Sequence, residues 1–228
     1  MQKTTIYLIR HSIRFHNNNI LKYNTTQNRI IKYEKIILST EGEKRAEILS
    51  NENELQNLDM VYASNCVRTL QTAKYILEKQ NLKVNIDERF DERRIGKSNE
   101  NLVKDWKLRQ YIDENYKTEG GESQKEVRKR FSEAFYEVLN ANKGKRIAIF
   151  THGNAITFFL MTLCKLEYDI EKDIRKFTFK DKVIFNKKLN APEVFKLEFN
   201  ENNEILNIQN IEFNDLPYKD GLGEVINT

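Results

Sequence analysis

Thr5-Ile6-Tyr7-Leu8-Ile9-Arg10-His11-Ser12 is an apolar run that ends abruptly in a basic dipeptide, and largely polar chain follows to Asn19. A short continuous apolar run reads as a strand buried on both faces, the kind found in parallel sheets. Ligands of open parallel sheets sit beyond the carboxyl ends of the strands. Arg10 and His11 therefore fall where a site is expected, although a histidine after a strand also serves as a plain loop residue. The choice between the two rests on whether the rest of the chain supplies partners.

It supplies several. Ile147-Ala148-Ile149-Phe150 is a second continuous apolar run, ending in Thr151-His152-Gly153-Asn154 and entering an apolar helix, Ala155 to Leu163. The chain has three histidines, and two of them follow strands. Leu58 to Ala63 reads as another strand, ending at Ser64. The helix after it starts with Arg68-Thr69-Leu70-Gln71-Thr72-Ala73 and carries Leu70, Ala73, Ile76 and Leu77 on one face. Lys83 to Asp87 reads as a third strand of this group. If these strands are neighbours, Arg10, His11, Arg68 and His152 meet in one crevice. Two planar guanidinium forks suit a phosphate, and the N-terminus of the helix after His152 adds backbone N–H groups.

The remaining chain reads as scaffold and loops. Thr40 with Glu43 forms a capping box, opening a helix to about Asn53 that buries Ala46, Ile48 and Leu49. Ser123 with Glu126 forms another, before Val127, Phe131, Ala134, Phe135 and Val138 at helical spacing. Leu102 to Asn115 is expected to be helical. Ser12 to Tyr33 reads as a long loop, and Glu88 to Glu100 as charged and irregular. Lysines and arginines at 125–130 are expected on a solvated helix face. Val194 to Phe199 and Ile205 to Phe213 read as a hairpin, with the last ~15 residues polar and loosely held. The alternation of strands and helices predicts an α/β fold: a three-layer α/β/α sandwich with a mostly parallel central sheet and a C-terminal antiparallel edge hairpin. A single domain over residues 1–228 is expected, with its motifs in 5–160 and the hairpin and tail in 190–228.

Composition narrows the function. The 228 residues are 39% hydrophobic and 32% charged, with a net charge of +4 and the signs interspersed. That does not point to nucleic acid. The longest largely apolar stretch, Ala155 to Cys164, is shorter than the ~20 residues of a membrane span. No secretory signal is read at the N-terminus, so the expected location is the cytoplasm and no membrane partner is expected. Cys66 and Cys164 are too few and too far apart for a disulfide framework or a metal site.

A neutral histidine is a nucleophile toward phosphorus, and cationic neighbours such as Arg10 and Arg68 keep it neutral. A carboxylic acid must then protonate the leaving oxygen. Glu92 is a candidate, with Asp91 and Glu88 as competitors that spacing does not separate.

The joint pattern resembles the histidine phosphatase superfamily, also called phosphoglycerate-mutase-like. Arg10-His11-Ser12 resembles its Arg-His-Gly motif, with Ser12 in place of glycine, and Asn17 matches its asparagine six residues on. Leu38-Ser39-Thr40-Glu41-Gly42 resembles its Leu-Thr-x-x-Gly. Ser64 to Ala73 matches its Ser-x-x-x-Arg-Thr-x-Gln-Thr-Ala throughout. Glu92 with Gly96, Gly121-Glu122-Ser123 and His152-Gly153 complete the series in family order. The resemblance implies a phosphoglycerate-mutase-like fold and a metal-independent phosphomonoesterase without cofactor, acting on a small phosphorylated metabolite. It implies His11 as a phosphorylated nucleophile and Glu92 as general acid. Arg10, Arg68, His152, Asn17 and Gly153 would surround the phosphoryl group. The Trp-Glu-Gly and the arginine- and proline-rich segment of the mutases are absent, which argues against a cofactor-dependent phosphoglycerate mutase. A phospho-ligand binding protein without catalysis is the other alternative. Substrate choice is expected from the loops at 12–33 and 88–122, with Arg14, Lys22, Tyr23, Arg93, Arg94, Tyr111 and Tyr116 as rim candidates.

Overall fold

A computed structural model describes residues 3–15, 33–96 and 106–221. Strand β1, Thr4–Arg10, is buried along almost its whole length. Its side chains alternate between two apolar cores, as strand geometry requires. Ile6 and Leu8 enter one core with Phe131, Phe135 and Phe159. Tyr7 and Ile9 enter the other with Leu49, Ala73 and Ile76. Each fully buried side chain of this size stabilises the fold by ~1.5–3 kcal/mol. The hydroxyl of Tyr7 remains satisfied by donating to Glu54 Oε1 at 2.7 Å.

The chain continues through α1 (Thr40–Asn51), β2 (Met60–Ala63), α2 (Val67–Gln80) and β3 (Val84–Ile86). Next come α3 (Trp106–Ile112), α4 (Gln124–Ala141), β4 (Arg146–Thr151) and α5 (Gly153–Leu160). Strands β5 (Lys165–Asp169), β6 (Ile174–Phe179), β7 (Lys182–Lys187), β8 (Val194–Phe199) and β9 (Ile205–Ile211) complete it. Six strands form the central sheet in the order β3-β2-β4-β1-β8-β9. The first four are mutually parallel, while β8 and β9 are antiparallel additions. Packing of α1 and α2 on one face and α4 and α5 on the other gives the expected three layers. Strand β4 lies between β1 and β2, so the ends of all three open on one crevice.

Several boundaries differ from the sequence reading. The N-cap of α1 is Ser39, whose Oγ accepts from Gly42 N, so Thr40 is already inside the helix. Strand β2 begins two residues later than Leu58, and α5 stops at Leu160. The helix expected over 102–115 is observed only at Trp106–Ile112; residues 102–105 lie outside the described chain. A second sheet, β5-β6-β7, was not anticipated. It places Phe177 and Phe185 in the core beside Phe195. The capping box of Ser123 and Glu126 at α4 is present as expected.

The tail is not loose as far as Gly221. Asn190 Nδ2 donates to Leu216 O and Arg45 Nη2 to Pro217 O. Lys219 N donates to Asn190 Oδ1, and Arg14 N to Gly221 O. A polar segment is thus held by backbone groups that composition does not reveal.

Gly42 sets how closely α1 approaches the chain after His11. A Cβ there would lie 2.0 Å from the Ile13 carbonyl oxygen, the same oxygen that accepts from Ser39 N. Alanine is the better helix former by ~1 kcal/mol, yet overpacking of this kind costs ~1–3 kcal/mol. Gly42→Ala is therefore expected to lower the urea midpoint; an unchanged or raised midpoint would show that the Ile13 segment gives way freely.

Candidate active site

His11 follows β1 and is buried, and its backbone N–H donates to Thr151 O on β4. Its Nδ1 lies 2.7 Å from the Ser12 carbonyl. A carbonyl only accepts, so Nδ1 carries the hydrogen and Nε2 keeps the lone pair. Ser12 is not among the positive-φ residues, so serine in place of glycine imposes no backbone strain. Its N–H donates to Thr72 Oγ1 on α2.

His152 has the opposite tautomer. Arg68 Nη2 lies 3.0 Å from His152 Nδ1, and a guanidinium only donates. The hydrogen is therefore on Nε2, which donates to Ser64 Oγ at 2.8 Å. The two imidazoles stand 5.3 Å apart, edge to face. Burial, then Arg68 and Arg10, hold His11 well below 6.5; burial, then Arg68 and His11, do the same to His152. For such depressed groups the unfolded chain protonates first. Their contribution to stability is complete above the unfolded value near 6.5 and is lost as pH falls.

Of the two arginines around this pair, Arg68 is fully buried and Arg10 half-buried. Arg68, at the start of α2, donates through Nη1 to Tyr33 O at 2.7 Å and stacks on the Tyr33 ring. Arg10 donates through Nη1 to Leu189 O and Asn190 O. The Nε of each has no hydrogen-bond partner among the described residues. Gly153 lies against Arg10, where a Cβ would meet its Nε at 3.4 Å. Gly221 covers its far side, since a Cβ there would overlap Nη2.

Glu92 lines a small open cleft of about 120 Å³ together with Arg10, Gly153 and Asn154. Its Oε1 accepts from Arg93 N and Ala155 N, and its Oε2 from Asn154 N. Two N–H groups of α5 thus hold this carboxylate, which corrects the expectation that they serve a phosphate. Asp91 faces elsewhere: its Oδ1 accepts from Asn65 N, and burial pushes its carboxyl up to about 6. Glu88 is exposed. Cleft geometry therefore sets Glu92 apart from both. Cys66, Asp91 and His152 offer ligand atoms within 4.8 Å of one another. With the His152 lone pair taken up by Arg68, and burial pushing the Cys66 thiol up to about 11, this group is arranged for hydrogen bonding.

Arg10, His11, Arg68, Glu92, His152 and Gly153 all come to the ends of β1, β2 and β4. Asn17, Lys22 and Tyr23 lie outside the described residues. Arg93, expected at the rim, is turned inward with Nε on Glu122 O. The solvated-face reading of 125–130 fails at Arg130. Its guanidinium grips both Glu122 oxygens and the carbonyls of Arg89, Asp91 and Glu92. The signal was present, since Arg130 is three residues after buried Val127 and four before buried Ala134. Gly96, at φ +75°, closes the same segment against Gly121.

The ends of parallel strands thus bring together two histidines and two arginines whose Nε atoms are unpartnered among the described residues, on an α/β scaffold. Residues 6–178 match the family model "Histidine phosphatase superfamily (branch 1)", and the chain belongs to that superfamily. Phosphoserine phosphatase 1 of Hydrogenobacter thermophilus is 31% identical over 123 residues, which are 50% of this chain and 58% of that protein. The match thus spans little more than half of that relative. A mycobacterial glucosyl-3-phosphoglycerate phosphatase has a similar fold, with a TM-score of 0.62 at 16% identity over 91% of this chain and 97% of that one. An Entamoeba histolytica phosphoserine phosphatase mutant in complex with phosphoserine has a TM-score of 0.60 at 17% identity, covering 90% of this chain and 96% of that one.

Nitrogen-15 spectra of the imidazoles test the two assignments. At pH 6 both rings are expected to be neutral, His11 protonated on Nδ1 and His152 on Nε2. A doubly protonated ring at that pH, or the same tautomer in both, would contradict them.

Proposed function

We propose that the chain is a metal-independent phosphomonoesterase that works through a phosphohistidine at His11 on a small phosphorylated metabolite. The observation that carries this reading is the His11 ring, fixed through Nδ1 on a carbonyl, beside Arg10 and Arg68, whose buried Nε atoms have no partner among the described residues. Superfamily membership and the phosphatases among its relatives support the same reaction class.

In the first half-reaction Nε2 attacks phosphorus, the P–N bond forms and the P–O bond to the leaving group breaks. Glu92 gives its proton to the departing oxygen. In the second half-reaction water attacks phosphorus, Glu92 takes the water proton, and the P–N bond breaks to release inorganic phosphate. Arg10 and Arg68 supply fixed positive charge where negative charge spreads over the phosphoryl oxygens, the largest contribution in reactions of this class. His152 acts on this step by holding Arg68 and by adding no competing positive charge. Asn17 is assigned to the phosphate by its motif position. No separate observation favours the mutase or the binding-only alternative.

Turnover of p-nitrophenyl phosphate is expected to persist in excess EDTA and to fall by at least ~10³-fold in His11→Ala. Glu92→Gln is expected to slow an alkyl phosphate by about 10²–10⁴-fold. It should slow the nitrophenyl ester far less, because nitrophenolate leaves without a proton. Loss of activity on chelation, or an active His11→Ala protein, would overturn the proposal. Equal losses on both esters in Glu92→Gln would remove Glu92 as the acid.

A further inference from the structure

The family match covers residues 6–178, yet the groups that hold the guanidinium of Arg10 lie beyond it. Arg10 Nη1 donates to Leu189 O at 2.8 Å and to Asn190 O at 2.9 Å. The sheet itself sets the turn that carries these carbonyls beside β1. Strand β8 pairs antiparallel with β1, Ile9 opposite Val194, and Arg10 N donates to Glu193 O.

Every polar atom of Asn190 is engaged. Its N–H donates to Glu193 Oε2, and its carbonyl accepts from Arg10. Its Oδ1 accepts from Ala191 N, Lys219 N and Arg45 Nη2, and its Nδ2 donates to Leu216 O. Arg45, buried on α1, adds Nε to Ala191 O at 2.7 Å and Nη2 to Pro217 O at 2.8 Å. One amide thus ties α1, the turn before β8 and the segment from Leu216 to Gly221 into a frame around Arg10. Gly221 closes that frame against Arg10 Nη2, where a Cβ would overlap the guanidinium.

The frame has a physical purpose. A guanidinium is planar, so holding Nη1 on two carbonyls and closing off Nη2 fixes the direction of Nε. Left to the charges around it, the group would turn otherwise. Arg175 of β6 lines the same cleft and repels it, while Glu92 and Asp220 attract it from other sides. Fixed charge assists phosphoryl transfer only where its direction is set in advance.

We propose that Asn190 is a positioning residue for Arg10, holding the turn and the 216–221 segment as the frame that aims the guanidinium at the phosphoryl group. This inference rests on the phosphomonoesterase reading and adds to it a residue outside the matched family segment.

A double-mutant cycle tests it. Asn190→Ala removes the side-chain bonds but leaves both carbonyls that Arg10 uses. It is expected to lower kcat/KM for p-nitrophenyl phosphate by about 10- to 100-fold, chiefly through KM, and to raise Ki for orthophosphate in parallel. In an Arg10→Met background the same substitution is expected to change kcat/KM less than about 2-fold, because its effect passes through the missing guanidinium. Gly221→Ala, which wedges Nη2 from the other side, is expected to behave alike in both backgrounds and decides the matter if Asn190→Ala does not fold. Equal losses with and without Arg10, or an unchanged orthophosphate Ki, would overturn the proposal. If wild type does not turn over p-nitrophenyl phosphate, the phosphatase reading fails, and calorimetric Kd values for orthovanadate across the same four proteins decide the positioning role by the same criterion. A wild type that neither hydrolyses the ester nor binds vanadate overturns both.

Discussion

The hydrogen bond from Arg68 to His152 is the constraint on which the site depends. A guanidinium with no exposed surface is costly unless its charge is matched, and no carboxylate forms an ion pair with Arg68 among the described residues. Its donors go to a neutral imidazole nitrogen and a backbone carbonyl. That arrangement satisfies Nη1 and Nη2 without cancelling charge and leaves Nε unpartnered among the described residues. It also fixes the rest: His152 must accept through Nδ1, must therefore donate to Ser64, and must remain neutral. Burial, and after it the uncancelled charge, keep His11 neutral as well. A cation is thus left buried and incompletely answered.

The scaffold exists to make this tolerable. Parallel pairing of β2, β4 and β1 brings Ser64, His152 and His11 to one edge. Ser64 N donates to Phe150 O and His11 N to Thr151 O, so the strand ladder carries the register into the site. On the acid side, Glu92 is held by three backbone N–H groups, and the turn that carries it is clamped by Arg130 and Glu122. Burial would raise the Glu122 carboxyl, but Arg130 holds it below the usual carboxylate range. His11 and Glu92 thus come from separate substructures, one from the end of β1 and the other from the turn clamped by Arg130 and Glu122.

Much of this was legible in the sequence, and what was missed shares a cause. Strands β1 and β4 are continuous apolar runs, and the position of a histidine after each is a local fact. Helix α4 announces itself through a capping box and an apolar stripe. Arg175 and the docked tail have no such signature. Arg175 reaches the cleft on β6 of the small sheet, and Pro217 to Gly221 are held through carbonyl groups that any residue carries. Strand order, which decides that β4 lies between β1 and β2, comes from long-range pairing that periodicity does not encode. The cap of α1 at Ser39 rather than Thr40 shows the finer limit, because adjacent serine and threonine are chemically equivalent as caps.

The most direct measurement is a crystal structure with orthovanadate, which mimics the transferring phosphoryl group. The account predicts vanadium bonded to His11 Nε2, with Nε of Arg10 and Nε of Arg68 each within about 3.2 Å of a vanadate oxygen. Vanadate bound away from His11, or bound there with both Nε atoms still unpartnered, would contradict it.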